Sequence, residues 1–224
     1  MNKSERLPKE TGREYAFRII KERIITLQLE PGSMVSENEL AAELGISRTP
    51  MREALIELSK VKIVEIYPQR GCRVALIDHS MVEEANFMRL VLETAIVEEL
   101  CTHEYADKLE PLEQNIMLQE FYLNNHNPDK LLELDDEFHR HLFAVCNKLE
   151  IYQLMNSFLV HFDRVRSMSL NIVKDIKIVA DHKAILAAIH AHDSQTAKVM
   201  VGKHLTRYKV DEEEIRVKYP QYFK

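Results

Sequence analysis

The sequence predicts a mainly α protein: three helices and a β-hairpin in residues 1–76, then an all-α antiparallel bundle of about six helices in residues 77–224. Three observations carry this. Apolar residues recur at helical spacing through most of the 224 residues, with only five glycines and seven prolines to interrupt them. Two short strand-like runs flank the turn Pro68-Gln69-Arg70-Gly71, and no strand pattern follows residue 77. The formal net charge of −6 is unevenly spread. Residues 1–76 carry 13 Lys and Arg against 11 Asp and Glu, residues 77–224 carry 17 against 25, and all ten histidines lie in the second part. The overall charge argues against nucleic acid, but the split indicates two domains with different tasks.

Residues 1–10 are polar and charged and are expected to fray. Tyr15, Phe17, Ile19, Ile20, Ile24 and Leu27 then give helical spacing over 14–28, ended by the turn Pro31-Gly32. Ser36 with Glu39 three residues on reads as a capping box for a second helix, whose apolar face is Leu40, Ala41 and Leu44. Gly45 supplies the left-handed residue that ends it, Ile46 packs inward, and Ser47 caps a third helix with Pro50 in its first turn, running to about Lys60. Ile63–Tyr67 and Cys72–Leu76 read as strands of a hairpin.

Two short helices joined by a glycine turn and followed by a hairpin form a winged helix-turn-helix, whose second helix enters a DNA major groove. Its early exposed residues are Arg48, Thr49 and Arg52. Arg48 and Arg52 share a face at four apart, and a guanidinium pairs with guanine or phosphate. Spacing alone fits two solvated arginines on a capped surface helix equally well. Arg70, at the hairpin tip, is either solvated or placed to reach a minor groove or phosphate.

The stretch from Pro31-Gly32 through Val74 resembles the N-terminal winged helix of the GntR family of bacterial transcription regulators. The resemblance rests on Leu-Gly-Ile-Ser-Arg-Thr-Pro-Met-Arg-Glu-Ala-Leu (Leu44 to Leu55) and on the wing Pro68-Gln69-Arg70-Gly71 with Val74. It implies DNA contacts from Arg48, Thr49, Arg52, Arg70 and Gly71. There are two departures. Val61-Lys62 stands where the family has Glu-Gly, so the recognition helix is expected to exit by another geometry. Asn38 stands where some relatives carry Arg.

Helices are predicted at 80–104, 109–125, 129–146, 149–170, 174–191 and 194–215, separated by short polar breaks such as Asn147-Lys148, Asn171 and His192-Asp193-Ser194. In Leu-Asp-Asp-Glu-Phe-His, Asp135 and His139 lie four apart and so share a helix face beside Leu131, Leu134, Phe138 and Leu142. His182 and His204 each sit beside an apolar run. One Asp and three His from three helices suit a divalent transition metal; from spacing alone, satisfied core histidines fit as well. Asp136 is a fallback ligand, and His161 stays open.

Residues 80–210 resemble the all-helical effector domain of the FadR subfamily, the FCD domain, and six helices point to the branch typified by VanR. The matching pieces are Arg89-Leu-Val-Leu-Glu93, Asp135-Asp-Glu-Phe-His139, Asp181-His182-Lys-Ala-Ile-Leu and the late helix ending in His204-Leu. The resemblance implies a divalent metal, zinc or nickel, on Asp135, His139, His182 and His204, with a small organic acid completing its shell. Arg89, Arg164 and Arg166 are the candidate cations for that acid; Arg89 fits a surface pair with Glu93 equally well. The same resemblance implies a homodimer on double-stranded operator DNA, and a regulator instead of an enzyme. The rivals are a regulator that holds its effector without metal and a metalloenzyme using the Asp/His site. His-Glu-x-x-His, Ser-His-Asp and glycine-rich phosphate-loop patterns are missing. No run reaches the ~18 apolar residues of a membrane span, no signal peptide is visible, and Cys72, Cys101 and Cys146 are odd in number and far apart. A reducing cytoplasm is the expected location.

Overall fold

The computed structural model describes residues 5–172 and 177–224, except for the side chains of 106, 170–172, 210 and 211. The chain forms two compact units, residues 5–79 with 219–224, and residues 80–218. The last six residues thus belong with the first unit.

In the first unit, α1 (Gly12–Ile25) buries Tyr15, Ala16, Ile19, Ile20 and Ile24. Its start is set by Thr11 and Glu14, which form a complete capping box that a search on apolar spacing passes over. Residues 5–10 are tied down too: Arg18 donates to both Glu10 carboxylate oxygens at 2.8 and 2.9 Å. Residues 1–4 lie outside the described residues. A two-residue strand β1 (Met34–Val35) precedes α2 (Glu37–Glu43) and α3 (Arg48–Lys60). The wing is β2 (Val64–Tyr67) and β3 (Gly71–Val74), and the antiparallel sheet runs in the order β1-β3-β2. β1 has no sequence signal of its own, because two residues cannot show a period.

Ser36 caps α2 through the Glu39 amide at 3.4 Å. Ser47 stands at the N-cap of α3 in extended conformation, but its hydroxyl makes no capping bond, contrary to the sequence expectation. Ile46 is half-buried. At the end of α2, Gly45 (φ 63°) donates to Ala42 and Ile46 donates to Ala41, the paired bonds of a Schellman motif. The exit of α3 repeats this geometry without glycine: Lys62 (φ 61°) donates to Ser59 and Ile63 to Leu58. The Val61-Lys62 departure therefore keeps the Schellman exit, with a side chain held in the left-handed region. In the wing, Arg70 donates to Tyr67 across a turn whose third residue, Gln69, has φ 63°.

The second unit contains α4 (His79–Thr102, starting at the junction), α5 (Glu110–Asn124), α6 (Pro128–Val145), α7 (Leu149–Phe158), α8 (Val160–Ile172), α9 (Ile178–His190), α10 (Ser194–Thr206) and α11 (Tyr208–Lys218). Six predicted helices become eight because two are broken. The break in 149–170 falls at Leu159, whose amide reaches Asn156, and the break in 194–215 at Arg207, whose amide reaches His204. α7 buries one stripe and leaves Ile151, Leu154 and Phe158 exposed, whereas residues 160–165 of α8 are all buried. The break lets the second half turn into the core, and the unbroken apolar spacing conceals it. α8 continues past the predicted stop at Asn171, and the first residues of the predicted 174–191 helix lie outside the described residues.

With so few glycines, the bundle ends its helices on other side chains. His126, Asn147 and His192 adopt positive φ after α5, α6 and α9, each with a Schellman pair of bonds. Asn127 and Asp193 then cap α6 and α10. These tight turns make α5 and α6, and α9 and α10, antiparallel neighbours, and α8 packs on α6 and α11.

A left-handed non-glycine residue costs about 1–2 kcal/mol. Lys62→Gly is therefore expected to raise unfolding stability by about 1 kcal/mol and Gly45→Ala to lower it by a similar amount, as read from urea unfolding. A Cβ on Gly45 meets nothing within 4 Å, so that change tests backbone conformation alone.

Candidate metal centre and nucleic-acid interface

The first unit has a groove of about 760 Å³ between the wing and α3, lined by Arg48, Arg52, Arg70 and Gly71 and, on the α2 side, by Glu37, Asn38 and Glu39. Thr49 is exposed but does not line it. Gly71 has φ 95°, and a Cβ there would come 3.3 Å from the Val35 carbonyl oxygen, so glycine lets the wing lie against β1. Elsewhere in the unit arginines are neutralised: Arg13 by Glu57, Arg18 by Glu10, Arg23 by Glu43 and Arg73 by Glu65. Arg48, Arg52 and Arg70 make no ion pair among the described residues. Three guanidiniums free of ion pairs outnumber the two carboxylates, Glu37 and Glu39, in the same concave groove, which leaves its wing and α3 side anion-seeking.

In the second unit, Asp135 and His139 come from α6, His182 from α9 and His204 from α10. All four are buried, and each offers one donor atom within 4.8 Å of the others'. The His139 and His204 Nε2 atoms are 3.1 Å apart. Asp135 Oδ1 lies 3.4 Å from His182 Nε2 and 3.9 Å from His139 Nε2. Two donors bound to one ion at about 2.0–2.2 Å are about 2.9–4.3 Å apart, depending on angle. These three separations fall in that range, within a cluster whose four donor atoms lie within 4.8 Å of one another. Asp135 Oδ1 and His182 Nε2 are buried without a hydrogen-bond partner; a cation between them would satisfy both.

Two of the three imidazoles have an acceptor within hydrogen-bond distance of Nδ1, and the nearest carboxylate to the third stands farther off. Glu93 Oε2 of α4 lies 2.7 Å from His139 Nδ1, Gln119 Oε1 of α5 lies 2.8 Å from His182 Nδ1, and Asp181 Oδ2 lies 3.9 Å from His204 Nδ1. A proton held on Nδ1 leaves the Nε2 lone pair facing the cluster. Phe138 fixes the His182 ring further by stacking at 3.9 Å. Burial pushes the pKa of both His139 and His182 down, which keeps them neutral. Burial alone would raise the Asp135 carboxyl, but the Arg166 guanidinium opposes this and holds it well below the usual range. Asp135, His139 and His182 are therefore in the protonation states a metal requires.

The three candidate arginines differ in placement. Arg166 donates to Asp135, to Asp136 at 2.8 Å and to Asp163 at 2.9 Å. It positions a cluster carboxylate, and its bonds are already committed, unlike the effector contact expected of it. Asp136 meets Arg166 instead of the cluster. Arg89 is no surface residue: its Nε donates to Glu93 at 2.7 Å, both side chains are buried, and its guanidinium lies over Phe162. Glu93 is held down to about 2: burial raises it, and Arg89 and His139 more than offset this. Arg164 is buried and donates to His161 Nδ1 at 2.7 Å; burial pushes its pKa down to about 9. Sequence reasoning treated Glu93 only as an ion-pair partner and missed Gln119. Its available signal was Asn115 and Gln119, two polar residues four apart on the stripe that buries Leu112 and Ile116.

Glu93→Gln and Gln119→Leu are expected to weaken metal binding about 10–100-fold, as read by calorimetry. The depressed histidines also set a pH dependence. Their folded pKa lies below the ordinary 6.5, so the unfolded chain takes up protons first as pH falls. The metal-free protein should keep this contribution above about pH 6.5 and lose it below. Urea midpoints near pH 7.5 and pH 5.5 measure the loss, which His182→Gln should reduce.

Residues 13–74 match the family described as bacterial regulatory proteins, gntR family, and residues 84–207 match the FCD domain. An HTH-type transcriptional regulator of an unstable DNA locus in Streptomyces ambofaciens is 30% identical over 95% of this chain and 90% of its own. The HTH-type transcriptional repressor RspR of Escherichia coli K12 is 27% identical over 96% and 95%. The solved structure of E. coli McbR/YncC shares the fold at TM-score 0.76 and 18% identity, over 95% of this chain and 99% of its own. The unpaired groove arginines and the buried Asp/His cluster thus lie in the two domains these matches define, and the chain belongs to the GntR family of bacterial transcription regulators, with an FCD effector domain.

Proposed function

We propose that this regulator binds a pseudo-palindromic operator as a homodimer, and that a small organic acid controls it through a divalent metal held by Asp135, His139, His182 and His204. Two copies would set their α3 helices in successive major grooves about 34 Å apart. Arg48, Arg52 and Arg70, with Thr49 and the close-approaching Gly71, supply the contacts to bases and phosphates. For pairing, α4 leaves Phe87 and Val91 exposed at four apart, and α7 leaves Ile151, Leu154 and Phe158. A regulator of this kind works in the cytoplasm beside its operator. No helix among the described residues is long and apolar enough to cross a membrane.

The observation that carries the metal reading is the convergence of the three Nε2 atoms with Asp135 Oδ1, with acceptors behind the His139 and His182 rings. Three nitrogens and one carboxylate oxygen suit zinc or nickel. A bound ion supplies a Lewis-acidic centre for a carboxylate oxygen. Arg89 has Nη groups with no hydrogen-bond partner among the described residues, and one turn away on the same buried face Asn86 Oδ1 has none either. Those atoms give the acid its remaining contacts. Effector can shift DNA affinity only by the difference in its own affinity for the two states.

Zinc at about a hundred times its Kd should stabilise the wild type by about 2.7 kcal/mol in thermal or urea unfolding, and His139→Ala far less. Wild-type protein that takes up no zinc or nickel would sink the metal reading. Arg52→Ala should cost about 1–3 kcal/mol of operator affinity, and Arg70→Ala should lower the salt slope by about 1. Unchanged binding in both would remove the groove from DNA recognition.

A further inference from the structure

The chain leaves the first unit after residue 79 and returns to it at residue 219, so the effector domain is joined to the DNA-binding unit by two covalent connections. The second has a defined structure. Pro220 ends the helical path, and residues 220–222 form a 3-10 turn that stacks Tyr219 on Tyr222 at 5.3 Å. Phe223 then extends and pairs in parallel with Ile77. The Ile77 amide donates to the Tyr222 carbonyl at 2.8 Å, and the Lys224 amide donates to the Ile77 carbonyl at 3.1 Å. Lys224 Nζ meets Asp78 at 2.9 Å. Tyr222 also engages Glu30, just ahead of the Pro31-Gly32 turn that leads into β1. Phe223 and Ile77 are both buried, so the tail is part of the core of the first unit.

The other end of this connection starts at the cluster. His204 lies three residues before Arg207, where α10 gives way to α11. Arg207 is clamped to Asp181, and Asp181 is both the neighbour of His182 and the acceptor nearest His204 Nδ1. α11 is a rigid rod of about 16 Å at 1.5 Å per residue, anchored in the bundle by the fully buried Ile215. It runs directly into Tyr219.

We propose that residues 219–224 are a second tether, which carries the state of the Asp/His cluster through Arg207 and α11 to the strand end at Ile77, with Phe223 as its anchoring residue. The inference rests on the cluster being the regulatory site. A tail that merely caps the first unit would affect stability alone; a tether makes the DNA-binding unit respond to an event in the bundle.

The test is amide exchange in the full chain with zinc as the probe, comparing wild type with Phe223→Ala. The readouts are the Val74 and Ala75 amides, which donate to Ser33 and Ile63 within the first unit. In wild type, bound zinc should change their exchange at least about fivefold. In Phe223→Ala the change should fall below about twofold, while zinc affinity in the bundle stays within about twofold of wild type. The same zinc response in the variant overturns the tether, as does no response in a wild type shown to bind zinc. If wild type binds no zinc, the metal reading fails instead, and the tether is judged by Ile215→Ala, which loosens α11. Exchange at Val74 and Ala75 should then rise at least about fivefold, and unchanged rates overturn it.

Discussion

The acceptors behind His139 and His182 are the constraint on which the buried Asp/His cluster depends. A histidine buried in an apolar bundle presents either nitrogen, in either tautomer, and three of them have no inherent reason to agree. Glu93 and Gln119 lie at 2.7 and 2.8 Å from the Nδ1 atoms of His139 and His182, which leaves their Nε2 atoms to meet that of His204; Asp181, 3.9 Å from His204 Nδ1, is too far to bind it. These acceptors need supports of their own. Glu93 is charged in the core only because Arg89 pairs with it, and Asp135 only because Arg166 does. An isolated buried charge costs several kcal/mol. The site is thus a compensated network of alternating charge, drawn from α4, α5, α6, α8, α9 and α10. That demand explains why a bundle of this size keeps so many buried polar side chains.

The DNA-binding unit follows the opposite rule. There Arg13, Arg18, Arg23 and Arg73 are each answered by a carboxylate, and the groove arginines make no ion pair among the described residues. Uncompensated charge on a surface costs little in water and is available to phosphate. The local sum therefore matters more than the overall charge of −6, which taken alone points away from nucleic acid. The backbone serves the same end. Schellman exits at Gly45 and Lys62 set the two ends of the helix pair, and Gly71 permits the wing to approach β1.

Most helices were legible because amphipathic spacing is a local property, and so was the Asp135/His139 pair, four apart on one turn. The breaks at Leu159 and Arg207 were not legible, since the apolar pattern runs through both and only the direction of the core decides where the chain bends. The start of α1 was missed for a different reason: Thr11 and Glu14 signal it by capping, outside the apolar run. Spacing leaves Arg89 either paired with Glu93 or awaiting a ligand, and leaves Arg166 as a cation awaiting a ligand. Their long side chains reach whichever carboxylate packing brings close, and spacing gives that only for Glu93.

By itself, then, the sequence determined most of the helices, the wing, the arginine-bearing face of α3 and the Asp135/His139 pair. Each of those follows from neighbours within a few residues. Only the tertiary structure decided that His139, His182 and His204 meet, that Gln119 and Glu93 stand behind two of them, and that residues 219–224 return to pair with Ile77. Those facts depend on contacts between segments as many as 146 residues apart in the chain, where burial and hydrogen-bond satisfaction act and no local periodicity records the outcome.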